Sequence, residues 1–291
     1  MTLSMSWVRK RGKTEELVTV SDSRTRFGCA WDCCPKVFPL SRGDGAIAFA
    51  GWTGYAYPLI QQALNTLNMH TMLVDRSLDF CDIQGHLLRI MNAMLKEVSD
   101  LPHGHAEAEP PDAEIILSGY SAKTSRFHIR KIHYSAIKKC FMCSRSTTLF
   151  RNGIIIAGDR DTNKQQDVVE VAKRFILEKL KKAGKQPGEG FDMEPFSVLV
   201  DMIRDGRYPT IGGAPQIVKT YKHMQSRPYS VFWPNGPSRK ISFMGRPMLD
   251  YEISTFLILD PDTLETTQFK VVNPELRIKG HGRMQQDGAN V

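Results

Sequence analysis

Apolar and polar positions alternate in "LSMSWVR" (Leu3–Arg9) and again in "LVTVSDSR" (Leu17–Arg24), which stops at the turn-prone Asp-Ser pair. The period of two predicts two strands, joined by a polar hairpin loop, "KRGKTEE". "PKVFPL" predicts a short third strand, "SRGDG" a turn, and "AIAFAG" (Ala46–Gly51) a fourth strand ending in small residues. The period then lengthens to that of a helix. In "WTGYAYPLIQQALNTLN", Tyr57, Ile60, Leu64 and Leu67 share one face, and Thr53 is a candidate N-cap. A second helix is predicted over Ser77–Val98, with Leu78, Ile83, Leu87, Ile90 and Met94 in register.

A polar, Pro-bearing loop (Ser99–Asp112) leads to strands at "AEIILSGY", "RFHIRKIHY" and "NGIIIAGD" (Asn152–Asp159). Lys164–Gly184 reads as an amphipathic helix ending in lysines and a glycine, as helix C-termini prefer. "EPFSVLVDMIRDG" predicts a fourth helix, and "IGGAPQIVKTYKH", "YSVFW", "KISFMG" and "STFLILDP" further strands. Blocks of strands and helices without strict alternation predict an α+β fold: a four-layer αββα sandwich with two mostly antiparallel sheets. It is expected to be one domain over residues 1–273, followed by a polar, mobile tail at 274–291.

Composition narrows the class. The chain has 291 residues, 41% hydrophobic and 24% charged, as globular proteins do. No apolar run reaches the roughly 18 residues of a membrane span, and "SWVRKRGKTEELV" is charged where a secretory signal would be apolar. A cytoplasmic protein with no membrane partner is expected. Six cysteines (Cys29, Cys33, Cys34, Cys81, Cys140, Cys143) then read as reduced thiols. "CFMC" is a C-x-x-C, but its only complement is the adjacent pair Cys33–Cys34, so no metal is expected.

The net charge is +8, and between Glu114 and Asp159 there is no acid at all. Lys123, Arg126, Arg130, Lys131, Lys138, Lys139, Arg145 and Arg151 fall in that interval. One reading is an anion-binding face for nucleic acid; the other is a solvated hairpin. No nucleic-acid motif accompanies these charges, so the hairpin is preferred.

The candidate chemistry begins at Thr2. Methionine aminopeptidase trims Met1 when the next residue is small. Trimming would leave an α-amine, of ordinary pKa about 7.7–8.0, beside the threonine hydroxyl. A threonine with its own amine as base is an activated nucleophile. Downstream stand "VSDSR" with Asp22, "CCPKVFPL" with Lys36, and "FAGWTGYAYPLIQQ" with Gly51.

In order and spacing these elements resemble the N-terminal nucleophile hydrolases, and within them the proteasome β-subunit and its bacterial relatives. The resemblance spans residues 2–68 and continues more weakly to 224. It implies peptide or other amide hydrolysis through an acyl-enzyme, with Thr2 as nucleophile and its amine as base. Lys36 and Asp22 would tune the hydroxyl, and the Gly51 N–H would receive the oxyanion. It implies no metal or organic cofactor, assembly into a homo-oligomer, and substrate delivery by an ATP-dependent unfoldase.

Two places depart from the family pattern. "IIIAGDRDT" puts Asp159 after Gly158, where a serine would assist the amine, and makes Asp159 a candidate site residue. "YPTIGG" puts Tyr208 and Ile211 where an aspartate and a serine are usual, with Thr210 and Asp205 nearby. Ordinary alternatives stand beside each assignment: Asp22 as a turn cap, Lys36 as a solvated strand residue, Gly51 as relief of crowding. At the level of the whole chain, the alternatives are a dead-site module for structure or recognition, and an anion- or nucleic-acid-binding protein using segment 115–158.

Overall fold

β1 (Leu3–Arg11) and β2 (Thr14–Ser21) pair over their whole length, from Ser4 opposite Ser21 to Arg11 opposite Thr14. The predicted polar loop is therefore mostly strand. Gly12, at φ +61°, takes the left-handed conformation that so tight a connection needs. The computed structural model describes residues 2–12, 14–99, 101, 103–104, 109–145, 153–158, 167–186, 189–234 and 239–268. The expected tail at 274–291 and the candidate residue Asp159 lie outside them.

After β2 a small ribbon forms from β3 (Thr25–Phe27) and β4 (Cys29–Trp31), which periodicity did not predict. β5 (Val37–Pro39) and β6 (Gly45–Gly51) follow, then α1 (Thr53–Met69), α2 (Thr71–Val74) and α3 (Phe80–Met94). Trp52, not Thr53, occupies the N-cap of α1, and Thr53 is buried as the first helical residue. The α3 cap is Asp79, whose carboxylate accepts from Cys81 N–H at 3.0 Å, so this helix starts later than Ser77.

β7 (Ala113–Ser121), β8 (Arg126–Ser135) and β9 (Cys140–Arg145) form a meander with β6 and β5. β10 (Ile154–Gly158), α4 (Val168–Lys182), α5 (Glu194–Asp205), β11 (Gln216–Tyr221) and β12 (Gln225–Trp233) come next. Short strands close the described chain: β13 (Lys240–Phe243), β14 (Arg246–Pro247), β15 (Ile258–Leu259) and β16 (Thr266–Thr267).

The predicted four-layer αββα sandwich is corrected by this arrangement. Among the described residues strand outweighs helix, and the strands form three sheets, of nine, five and two strands, not two. Two features account for the difference. Residues 25–31 pair with each other in a separate ribbon. The C-terminal strands enlarge one sheet through β12, which takes β13 antiparallel and β15 parallel. No clear four-layer sandwich results, and five α-helices accompany the sheets among the described residues.

The alternation read from sequence does decide which side chains are buried where. Leu3, Met5, Trp7, Val18, Val20 and Ile217 pack with α4 and α5. Leu17, Val218, Ala46, Ala48 and Ile116 pack where the nine- and five-stranded sheets meet. Ile47, Phe49, Ile115 and Leu117 pack with α1 and α3. β1 lies inside the large sheet, between β10 and β2, so the segment starting at Thr2 is held on both sides. No described helix is long and apolar enough to cross a membrane.

Candidate active site

Thr2 sits one residue ahead of β1, where the polar ends of three segments converge in the interior. Lys36 Nζ donates to Thr2 Oγ1 at 2.5 Å and to both carboxylate oxygens of Asp22 at 3.1 Å. Thr2 is 1% exposed, and Asp22 and Lys36 are wholly buried. Three residues that the family resemblance singled out thus meet in one cluster.

Asp22 is pinned from several directions. Its Oδ1 accepts from Leu3 N–H at 3.1 Å, and its Oδ2 from Arg24 N–H at 3.0 Å and Gly212 N–H at 3.2 Å. A buried carboxylate requires such partners. The Leu3 bond also fixes the backbone directly after Thr2, so Asp22 sets both the lysine and the threonine. The turn-cap reading of Asp22 holds as well, since the Arg24 N–H lies two residues on.

Lys36 is held through its main chain. Gln216 Oε1 accepts from the N–H groups of Lys36 at 2.9 Å and Val37 at 3.2 Å. Its Nε2 donates to Cys34 O at 2.7 Å and Asp22 O at 3.3 Å. Sequence reasoning missed Gln216, which lies 180 residues from Lys36. Tyr57, on α1, donates its hydroxyl to Pro35 O at 2.9 Å. Burial, then the nearby thiols of Cys34 and Cys33, pushes the Tyr57 phenol well up, so it keeps the proton it donates.

The excursion between Asp22 and Lys36 is closed by Arg24, whose Nε and Nη2 grip the Asp32 carboxylate at 2.6 and 2.7 Å. That hydrogen-bonded pairing draws the Asp32 carboxyl below its ordinary value and the Arg24 guanidinium above its own. Ser23 Oγ contacts Asp32 O at 2.9 Å and Ala214 O at 2.8 Å.

Gly51 ends β6 at φ +104°, and a Cβ there would stand 2.4 Å from Asp112 O. Glycine is required at this point by the backbone itself. Trp52 N–H donates to Asp112 O at 2.6 Å, and alternate residues of an antiparallel strand direct their polar groups to opposite sides. The Gly51 N–H is therefore turned away from β7. It points to the edge of β6 where Phe49 O accepts from Ser4 Oγ at 2.6 Å. Ser4 lies two residues from Thr2, and its Oγ is also within hydrogen-bond distance of Ser21 Oγ, at 2.8 Å.

Gly158, at the end of β10, pairs with Leu3. A methyl there would meet Thr2 O at 2.9 Å, so the glycine lets β10 approach the threonine. From the segment that departs from the family pattern, neither Asp205 nor Ile211 joins the cluster. Asp205 pairs with Arg207 at the surface, and Ile211 is buried in the apolar core. Gly212 supplies the contact from that segment instead.

The other candidates read from the sequence fall elsewhere. Cys140 and Cys143 lie three apart on one strand, where side chains alternate sides, so they do not present a common pair. Among the described residues no group of three His, Cys, Asp or Glu is placed to hold a metal. In the basic segment Lys131 pairs with Glu114 at 2.5 Å and Arg130 donates to Gln84 Oε1, while Lys123, Arg126 and Lys138 are exposed. Arg151 is outside the described residues. Neither a family model nor a curated protein matches the chain.

Proposed function

We propose that the chain is an N-terminal-threonine amidohydrolase of the proteasome β-subunit type, cleaving peptide or other amide bonds once the residue ahead of Thr2 is removed. The observation that carries this reading is the buried Lys36 ammonium, 2.5 Å from Thr2 Oγ1 and clamped by Asp22. A threonine hydroxyl is a weak nucleophile, and a fixed positive charge against its oxygen favours the alkoxide that attacks a carbonyl.

In the proposed cycle the Thr2 α-amine accepts the hydroxyl proton, and Oγ1 adds to the carbonyl carbon. The Gly51 N–H then lies on the side of β6 that can meet the oxyanion. Collapse expels the amine leaving group, which takes the proton back, and leaves an ester on Thr2. Water, activated by the same amine, hydrolyses that ester and restores the hydroxyl. No metal or organic group enters any step. A homo-oligomer fed by an ATP-dependent unfoldase is the setting the resemblance suggests.

A second reading has one observation in its favour. Thr2 and Lys36 are 1% and 0% exposed, as expected of a polar anchor kept in a dead site. Hydrolysis of fluorogenic peptide amides separates the two. The proposed enzyme shows turnover that is lost in Thr2→Ala and partly kept in Thr2→Ser. Absence of turnover in protein whose N-terminus is shown by sequencing to be Thr2 supports the anchor.

A further inference from the structure

A second polar cluster lies on the same large sheet, at the hairpin end of β11 and β12. The register sets Lys219 directly opposite Arg227, and side chains two apart share a face, so Tyr221 and Tyr229 flank that pair. Glu16 Oε1 accepts from Arg9 Nη1 at 2.8 Å and Lys219 Nζ at 3.1 Å, and Asp192 accepts from Arg9 Nε. Three cations thus meet two acids. Among the described residues no acid pairs with Arg227, which is exposed, whereas Lys219 is 5% exposed. Like charges directly opposite are destabilising, so the fold carries one positive charge here that it does not itself compensate.

A cavity of ≈370 Å³ opens beside Arg227, between residues 225–229 of β12 and Thr255–Leu257. Ser230 N–H donates to Leu257 O at 3.0 Å, and β15 begins to pair with β12 only at Ser230. By the alternation of a strand, the Ser226 N–H points to this same side, into the gap. Pro228 has no N–H to offer, so a continuing strand cannot complete the edge. Phe256, stacked on Phe243 with centroids 5.1 Å apart, gives the cavity an apolar wall. The Tyr221 and Tyr229 hydroxyls lie 2.6 Å apart, and burial pushes both phenols up. Their single mutual bond uses one phenol proton and leaves the other for a further acceptor.

We propose that this cavity binds a carboxylate, with Arg227 as its ion-pair partner, Ser226 N–H as a second donor, and Phe256 as the surface for the attached apolar group. One uncompensated positive charge matches one negative charge, and a guanidinium fits the two oxygens of a carboxylate. The group could belong to a small free acid or to the C-terminus of a peptide. The site stands independently of turnover at Thr2.

The test is calorimetric titration of the full chain with 3-phenylpropionate, its amide, a tripeptide ending in Phe with a free or amidated C-terminus, and inorganic phosphate. At least one free acid should bind, its amide about tenfold or more weaker, and Arg227→Gln should lose the same factor. Arg227→Lys should fall between. Arg227→Gln should melt no lower than the wild type, since it removes a like-charge pair. Whichever acid binds more tightly identifies the source. Equal binding of acid and amide, unchanged binding in Arg227→Gln, no binding at millimolar ligand, or tighter binding of inorganic phosphate than of any carboxylate would overturn the proposal.

Discussion

The ammonium of Lys36 stands 2.5 Å from the hydroxyl oxygen of Thr2, with both residues withdrawn from solvent. The same ammonium neutralises Asp22 at 3.1 Å, so one side chain serves the proposed chemistry and the stability of the interior together.

That double role makes Lys36→Ala a two-part prediction. Acylation should disappear, and stability should fall by about 3–5 kcal/mol, because the variant leaves a buried carboxylate without its counter-charge. Lys36→Arg should restore charge but not activity, since a planar guanidinium cannot replace a compact ammonium in so small a space. Chemical denaturation and single-turnover acylation measure the two parts. An active, fully stable Lys36→Ala would reduce the residue to a bystander.

Gln216 offers a test that touches neither nucleophile nor charge. Gln216→Leu strips partners from the N–H groups of Lys36 and Val37 and from two carbonyls. Each buried group left unpaired costs about 1–3 kcal/mol. The variant should melt lower and lose activity even though Thr2, Asp22 and Lys36 are all present. Activity equal to wild type at a temperature where the variant is folded would show that the Lys36 backbone needs no such anchor.

What could be read in the sequence was local. The strand character of 3–9 and 17–21 followed from alternation, and the grouping of Thr2, Asp22 and Lys36 from the resemblance carried by short stretches within the first 36 residues. The layering failed because sheet membership is decided by pairings between distant segments. Nothing in "STFLILDP" announces that Ile258–Leu259 will lie parallel to β12. Gln216 was invisible for a similar reason, since its side chain acts on a strand 180 residues away. The Thr53 cap failed on local competition. Trp52 N–H is taken by Asp112 O, so the helix starts from that anchored residue.

Gly51 and Gly158 should respond differently to alanine. Gly51→Ala forces an L-residue to φ +104° with its methyl against Asp112 O, a backbone strain of about 1–3 kcal/mol. Gly158→Ala presses on Thr2 O instead, so it should lower acylation more than it lowers the melting temperature. Thermal melts and acylation rates of both variants check this, and a Gly51→Ala protein as stable as wild type would count against the geometry at the end of β6.

Acid stability gives a test away from the site. Burial alone would raise the Asp79 carboxyl, but the Cys81 N–H, the Ser121 side chain and the Lys123 N–H together outweigh it and hold the group at about 2, below its ordinary 3.8. A depressed carboxylate stabilises the fold above its unfolded value, and the contribution is lost as pH falls from 3.8 through about 2. Asp79→Ala should cost about 1 kcal/mol at neutral pH through the lost cap of α3. Its deficit against wild type should shrink across that acid window. A deficit independent of pH would mean that the carboxylate charge plays no part.

The most direct measurement is mass spectrometry of protein with a verified Thr2 N-terminus after treatment with a peptide epoxyketone, which reacts with a hydroxyl and an amine on one residue. The expected result is one covalent adduct on Thr2, absent from Thr2→Ala and Lys36→Ala, and absent when an uncleavable N-terminal extension acylates the amine. An adduct on Cys33 that persists in Thr2→Ala, or no adduct on the trimmed, assembled protein, would contradict the assignment of Thr2 as the nucleophile.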